Sequence, residues 1–215
     1  MNFRHTQDTI DALRLTLSDE RLIKYIDANS GNYSDAITLY EQNTRASEAF
    51  YTPLQSLEIA LRNKMHTTMA QAYGYDWLTN GQPPLKADAL ENITKAIKSL
   101  GRNTAPEQVS AGAIIAQLSF GFWVGLLGPR YDATLFRNQL YRVFNANGRN
   151  MSRKVIHGRL NMIKRFRNRI AHHEPIFQYE LSKTFSEIIE ATSWLCQKTA
   201  VWSECHSRVL SVLTK

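Results

Sequence analysis

Acid is scarce in this chain where base is abundant, and one long apolar run has no charge at all. Between Arg130 and His173 the single carboxylate is Asp132, against eleven cations: Arg130, Arg137, Arg142, Arg149, Arg153, Lys154, Arg159, Lys164, Arg165, Arg167 and Arg169. That segment carries +10 in a chain whose formal net charge is +7, so the remainder sums to −3. Charge so concentrated predicts a polyanionic partner, a nucleic acid first of all, with Arg153, Lys154, Arg159, Lys164 and Arg165 as the expected contacts. From Ala111 to Gly128 no charged residue occurs. The run is barely as long as a membrane span, and Gln117, Ser119 and four glycines interrupt it. It predicts two buried pieces, Ala111–Leu118 and Ser119–Leu127, broken near Ser119, and no membrane partner.

Other absences narrow the chemistry. No phosphate loop, Rossmann glycine pattern or Gly-x-Ser-x-Gly elbow is present. The acids do not cluster as metal ligands would, and His172-His173 is a poor metal pair, because adjacent helical residues point about 100° apart. No metal and no cofactor are expected. The two cysteines, Cys196 and Cys205, lie nine apart on a helical pattern, about 900° of helix, which puts them on opposite sides of one element. Free thiols, together with a start (Met1-Asn2-Phe3-Arg4-His5) that has no apolar leader, predict a cytoplasmic protein.

What the chain does have is helical periodicity. Ser18 reads as an N-cap, with Asp19 and Glu20 in the first turn of a helix through Leu22, Ile23 and Ile26 that ends at Asn29-Ser30-Gly31-Asn32. Ser34-Asp35 opens a second helix, completing a hairpin. Thr52-Pro53-Leu54-Gln55 predicts a capping box with proline at the first helical position. Leu54, Leu57, Leu61, Met65 and Met69 then form a stripe for burial, and Glu58, Arg62 and His66 a second one, with Glu58 and Arg62 spaced for an intrahelical ion pair. Tyr73 to Trp77 reads as a turn, Leu85 to Leu100 as a helix closed by Gly101, and Thr104-Ala105-Pro106-Glu107 as another capping box. After a loop at Asn145–Asn150, Ser152 caps a helix with Ile156, Leu160, Ile163, Phe166 and Ile170 apolar, and Leu181 to Thr199 marks one last long helix. Strand alternation is absent. The expectation is one all-α domain over residues 1–215, a helical extension over 1–50 and a bundle core over 51–215.

The helix capped by Ser152 delivers the densest chemistry, Arg165-Phe-Arg167-Asn168-Arg169-Ile-Ala-His172-His173-Glu174-Pro175. Proline ends the helix near His173 and leaves two imidazoles at its C-terminus. Imidazole takes or gives a proton near neutrality, and guanidinium clamps a phosphate as charge builds in a transition state. Such a pair suits RNA cleavage by attack of the 2′-OH on phosphorus, to a 2′,3′-cyclic phosphate and a 5′-OH. Spacing alone favours Arg169, which shares a stripe with Arg165, His172 and His173, whereas Arg167 and His172 lie about 140° apart on a regular helix. The bland reading is cations at a helix C-terminus, each favourable by about 0.3–1 kcal/mol.

Arg167, Asn168 and His172 resemble the Arg-Asn-x-x-x-His motif of HEPN ribonucleases. The longer phrase Arg167 to Ile176, with Leu57-Glu-Ile-Ala-Leu-Arg62-Asn63 and Leu118-Ser-Phe-Gly-Phe-Trp123, resembles the Abi-like (abortive infection) branch of that superfamily. The resemblance implies an HEPN-like helical bundle acting as a homodimer, with the motifs of both copies lining one cleft. It assigns catalysis to Arg167 and His172 with Asn168 orienting groups, and supporting positions to His173, Arg169, Glu174, Arg62 and Asn63. The implied function is metal-independent endoribonuclease activity in phage defence or toxin–antitoxin control, with RNA as substrate. A non-cleaving member held by a small structured, antitoxin-like RNA is the alternative, and a protein–protein module with a merely solubilising basic face is a third class.

Overall fold

The computed structural model describes residues 5–101, 109–146 and 149–214. Three helices form the front: α1 (Gln7–Leu17), α2 (Asp19–Ala28) and α3 (Tyr33–Ala49). Ser18 caps α2 as expected, its hydroxyl accepting from the Arg21 N–H at 3.3 Å. The cap of α3 is Asn32 rather than Ser34, because the Asn32 side-chain oxygen reaches the Asp35 N–H at 3.2 Å. Leu22, Tyr25, Ile26 and Ala36 make a small core of their own between α2 and α3. α1 lies outside the expected hairpin, and Ile10 is its one buried residue.

The capping box at Thr52 does not form. Phe50 keeps helical angles (φ −72°, ψ −11°) and joins α3 to α4 (Tyr51–Tyr73) almost without interruption. The reason is tertiary: Phe50 is fully buried, its ring 4.8 Å from that of Phe166 and 6.5 Å from that of Phe185. Pro53 falls in the first turn of α4, where a missing N–H is tolerated. The Leu54–Met69 stripe is buried along its whole length. It packs against α9 (Leu181–Leu195) and α10 (Gln197–His206). The expected Glu58–Arg62 pair is replaced by other partners. Glu58 meets Arg167 on another helix at 3.5 Å, and the Arg62 Nε donates to Asn63 Oδ1 at 3.2 Å.

The uncharged run folds as anticipated into α6 (Ala111–Gln117) and α7 (Phe120–Gly125), with Ser119 capping α7 through the Phe122 N–H. No helix among the described residues is long and apolar enough to cross a membrane. α5 (Ala87–Leu100) precedes this pair, and the capping box expected at Thr104–Glu107 lies outside the described residues. Where a loop was expected, Asn145–Ala146 pairs antiparallel with Arg149–Asn150. The expected last long helix is two: Cys196 adopts an extended conformation (φ −159°, ψ 114°), so that α10 turns back onto α4 and α9. The helical phase relation between Cys196 and Cys205 therefore does not hold, and both thiols are free. α11 (Val209–Leu213) packs on α3 and α9.

Ser152 caps α8 (Arg153–Ala171), whose Ile156, Leu160, Ile163 and Phe166 are buried. Its C-terminus is a Schellman motif: the Glu174 N–H donates to Arg169 O at 2.7 Å, and the His173 N–H to Ile170 O at 3.0 Å. His173 occupies the left-handed position, φ +56°, where glycine is usual. Arg169 locks the turn from outside, its Nε and Nη2 donating to Pro175 O at 3.0 and 2.8 Å and its Nη1 pairing with Glu174 at 3.0 Å. The chain beyond is held from α3, where the buried Asn43 Oδ1 accepts from the N–H groups of Ile176 (2.7 Å) and Phe177 (3.2 Å).

Two stability predictions follow from these features. His173→Gly removes the left-handed strain and should stabilise the fold by roughly 0.5–1 kcal/mol, seen as a higher midpoint in urea, whereas His173→Val should destabilise it. His66 accepts the Trp77 indole N–H on Nδ1 at 3.0 Å, and burial holds its pKa below the usual imidazole value. Burial first, then Arg153 and Lys164, lowers that of His157. The unfolded chain then binds more protons below about pH 6.5, so this part of the stability is complete above that pH and is lost as pH falls through the folded values. Melting temperature should drop between about pH 7 and 5, and His66→Gln should flatten part of that slope; an unaltered slope would assign it to other groups.

Candidate functional site

Helix α8 sorts the motif onto two faces. Measured around the helix from Lys154, the residues Asn161, Arg165, Asn168 and His172 all fall within about 40° of one line, with the buried Ile156, Leu160 and Ile163 opposite. Lys154, Arg165, Asn168 and His172 are exposed, and Asn161 is half-buried. Arg167 is about 140° from His172, on the apolar side. It lies near the helix end, past the core, and reaches α4 instead of the interior.

There Arg167 lines a groove of about 330 Å³ between α4 and the end of α8. Leu54, Ile59, Ile170 and Ala171 give it apolar walls, and Glu58, Arg62 and Arg167 its charges. Glu58 lies 3.5 Å from Arg167, both side chains partly exposed, so the pair adds little stability, under about 1 kcal/mol. Its consequence is positional: Glu58 holds the Arg167 guanidinium in a groove that Arg62 also lines, and the groove keeps a net positive charge suited to a phosphate. Tyr51 and Ile59 border the groove and leave 67% and 38% of their surface exposed.

Of the expected site residues, the fold thus brings Arg62 and Arg167 together, with Asn63 bonded to Arg62. Asn168 and His172 stand on the exposed stripe with Arg165, outside the groove. Arg169 and Glu174 are paired with each other at the helix end, and His173 faces a different groove beside α3. The alternative partner suggested by spacing, Arg169, is therefore engaged in holding the turn. Glu58, Tyr51 and Ile59 were missed as groove residues. For Glu58 and Ile59 the signal was available in the word Leu57 to Asn63, which lies against the motif, whereas Tyr51 lies outside it.

The basic segment is less bare than its composition. Arg153 is tied to Asp132 at 3.1 Å and to Leu127 O at 3.1 Å. Arg159 is paired with Glu190 and packs over the Trp194 ring. Arg130 and Arg137 are paired with Asp88 and Asp132. Lys154, Lys164 and Arg165 have no acidic partner among the described residues, and Lys154 and Arg165 lie on the His172 stripe. Among the described residues no three His, Cys, Asp or Glu side chains cluster in a way that would hold a metal.

A family model for Abi-like proteins matches residues 12–178, a stretch that takes in the end of α1, all of α2 and α3, the groove and the whole α8 motif. No curated protein and no solved structure matches the chain. The chain belongs to the Abi-like protein family.

Proposed function

We propose that this protein is a metal-independent endoribonuclease of the HEPN type acting in phage defence or toxin–antitoxin control, and that its active site is completed by a second copy of the chain. One observation carries the reading: Arg167 and His172 belong to the same motif yet face different ways, Arg167 into the α4/α8 groove and His172 onto the exposed stripe. Two copies docked across this surface bring the His172 of one to the Arg167 of the other. The exposed Tyr51 and Ile59 beside Arg167 offer the apolar contact such docking needs.

In this site one imidazole takes the 2′-OH proton while the 2′-oxygen bonds to phosphorus. The P–O5′ bond breaks, and a second imidazole, from the other copy, protonates the leaving oxygen. Arg167, with Arg62 beside it, stabilises the negative charge that builds on the non-bridging oxygens. Asn168, one turn before His172 on the stripe, orients the sugar or phosphate. Lys154, Lys164 and Arg165, cations of α8 without an acidic partner among the described residues, carry the flanking strand. DNA lacks the nucleophile and is spared.

His172→Ala should lose about 10²–10⁴-fold in RNA cleavage while still binding RNA. Arg167→Ala should lose a similar factor with its melting point unchanged, and Arg167→Lys should rescue it only in part. Arg169→Ala should instead lower stability by roughly 1.5–3 kcal/mol, because Pro175 O and Glu174 lose their donor. Cleavage by all four variants on one RNA, with end-group analysis and excess EDTA, decides the matter. Full activity in His172→Ala, or 3′-OH ends that need a divalent cation, would rule the mechanism out.

The docking surface has its own test. Ile59→Asp should convert a homodimer into a folded monomer that binds RNA but no longer cuts it, as read by sedimentation and cleavage. A wild-type protein that is monomeric at micromolar concentration and fully active would remove the second copy from the site.

A further inference from the structure

A second groove opens on the other side of the α8 terminus, and the catalytic chemistry does not use it. It is about 350 Å³ in size, at the lower end of small-ligand clefts. Arg21 of α2, Tyr40, Asn43 and Ser47 of α3, and His173 line it, and none of its lining residues is acidic. Arg21 makes no ion pair among the described residues, although acids elsewhere on the front helices are paired, Asp19 with Arg14 and Glu41 with Arg45. Glu174, next to His173 in sequence, is neutralised by Arg169.

Two side chains at or near this groove have a polar group without a partner among the described residues. Asn43 is only 6% exposed, and its Oδ1 already accepts from Ile176 and Phe177. Its Nδ2 donates to nothing among the described residues. That donor is free to serve an acceptor lying in the groove that Asn43 lines. The Tyr25 hydroxyl is also fully buried and unpartnered. Its ring stands edge-on to that of Tyr40, centroids 5.2 Å apart. Burial pushes its pKa up to about 12, while the charges of Arg21 and Arg169 act on it in the opposite direction.

The two grooves share one wall, Ile170. A strand lying over the Arg167 groove thus passes Ile170 directly into the second. There it meets a guanidinium, an imidazole held outward by a left-handed backbone, a hydroxyl and a free amide, all donors, with no carboxylate among the lining residues to repel an anion. We infer that this groove is a phosphate subsite, in which Arg21, Asn43 and His173 hold a backbone phosphate of the RNA flanking the one that is cut; the inference rests on the ribonuclease reading above. It also gives a reason for histidine at a position where glycine would be the more stable choice: the imidazole is a ligand donor, and its strain is the cost of placing it.

The test uses the full chain, with inorganic phosphate and a short single-stranded oligoribonucleotide as probes. Resonances of the Arg21 Nε–H and Asn43 Nδ2–H₂ groups are followed by NMR and assigned with Arg21→Gln and Asn43→Asp. Asn43→Asp keeps the oxygen that Ile176 and Phe177 need but replaces the donor with an anion. Phosphate should shift both resonances, the oligoribonucleotide should displace it, and Arg21→Gln and His173→Gly should each weaken phosphate binding by roughly tenfold, the loss of one charge-assisted contact. His173→Gly serves as the variant that cannot fail by unfolding. Phosphate bound but not displaced by the oligoribonucleotide overturns the RNA assignment in favour of a free phosphate ester. Side-chain resonances unmoved by either probe, in a protein that cuts RNA, overturn the subsite alone. Phosphate bound here by a protein that cuts no RNA overturns the ribonuclease reading alone.

Discussion

The reversal of the chain after α8 is the constraint on which the functional end of the molecule depends. Three independent devices fix it: the two Schellman hydrogen bonds, the Arg169 fork on Pro175 O, and the Asn43 amide that takes the next two N–H groups. Each satisfies backbone groups that would otherwise be stranded at a buried turn, since Pro175 and Ile176 are both buried. The result is a helix end rigid enough to present His172 and His173 in different directions, one on the outer stripe and one toward α3. It also ties the front helices to the motif, because Asn43 belongs to α3 and the turn it holds follows α8.

Electrostatics in this chain are settled by pairing as much as by composition. Of the eleven cations between Arg130 and His173, six are ion-paired among the described residues, and all but two of their acidic partners (Asp132 and Glu174) come from helices elsewhere in the sequence. The long guanidinium side chains reach across helix joins and satisfy carbonyls as well as carboxylates, which a compact ammonium does less well. What is left uncompensated is narrower than the sequence implied, and two of its cations, Lys154 and Arg165, fall on the His172 stripe. On the proposed reading a polyanion is drawn in by the net charge and held where the pairing leaves cations free.

The Arg167 groove and the Arg21–His173 groove flank the same helix end and meet at Ile170. This arrangement makes sense of two local costs. Arg167 is placed on the apolar side of α8, where a partly exposed pair with Glu58 adds little stability, and His173 sits in a backbone region that favours glycine. Neither choice is the most stable one available, and both point donors into grooves beside one turn, as expected where a site rather than a core sets the residue.

Much of the fold could be read from the sequence because its signals are local. The caps at Ser18 and Ser152, the buried stripes of α4 and α8, the break in the uncharged run and the family words all act within a turn or two of helix. The reading failed where the deciding partner is distant in sequence. Phe50 continues the helix through an apparent capping box because Phe166 and Phe185 bury it, and Cys196 breaks an apparent helix because α10 has α4 to return to. The same division runs through the candidate site. Sequence alone determined that arginines and histidines gather at one helix end and that proline stops the helix there. Only the tertiary structure decided which arginine is available: α4 supplies Glu58 and a groove for Arg167, while the turn's own carbonyl and carboxylate capture Arg169. Helical phase places a side chain on a face, but the partner packed against that face decides what it touches.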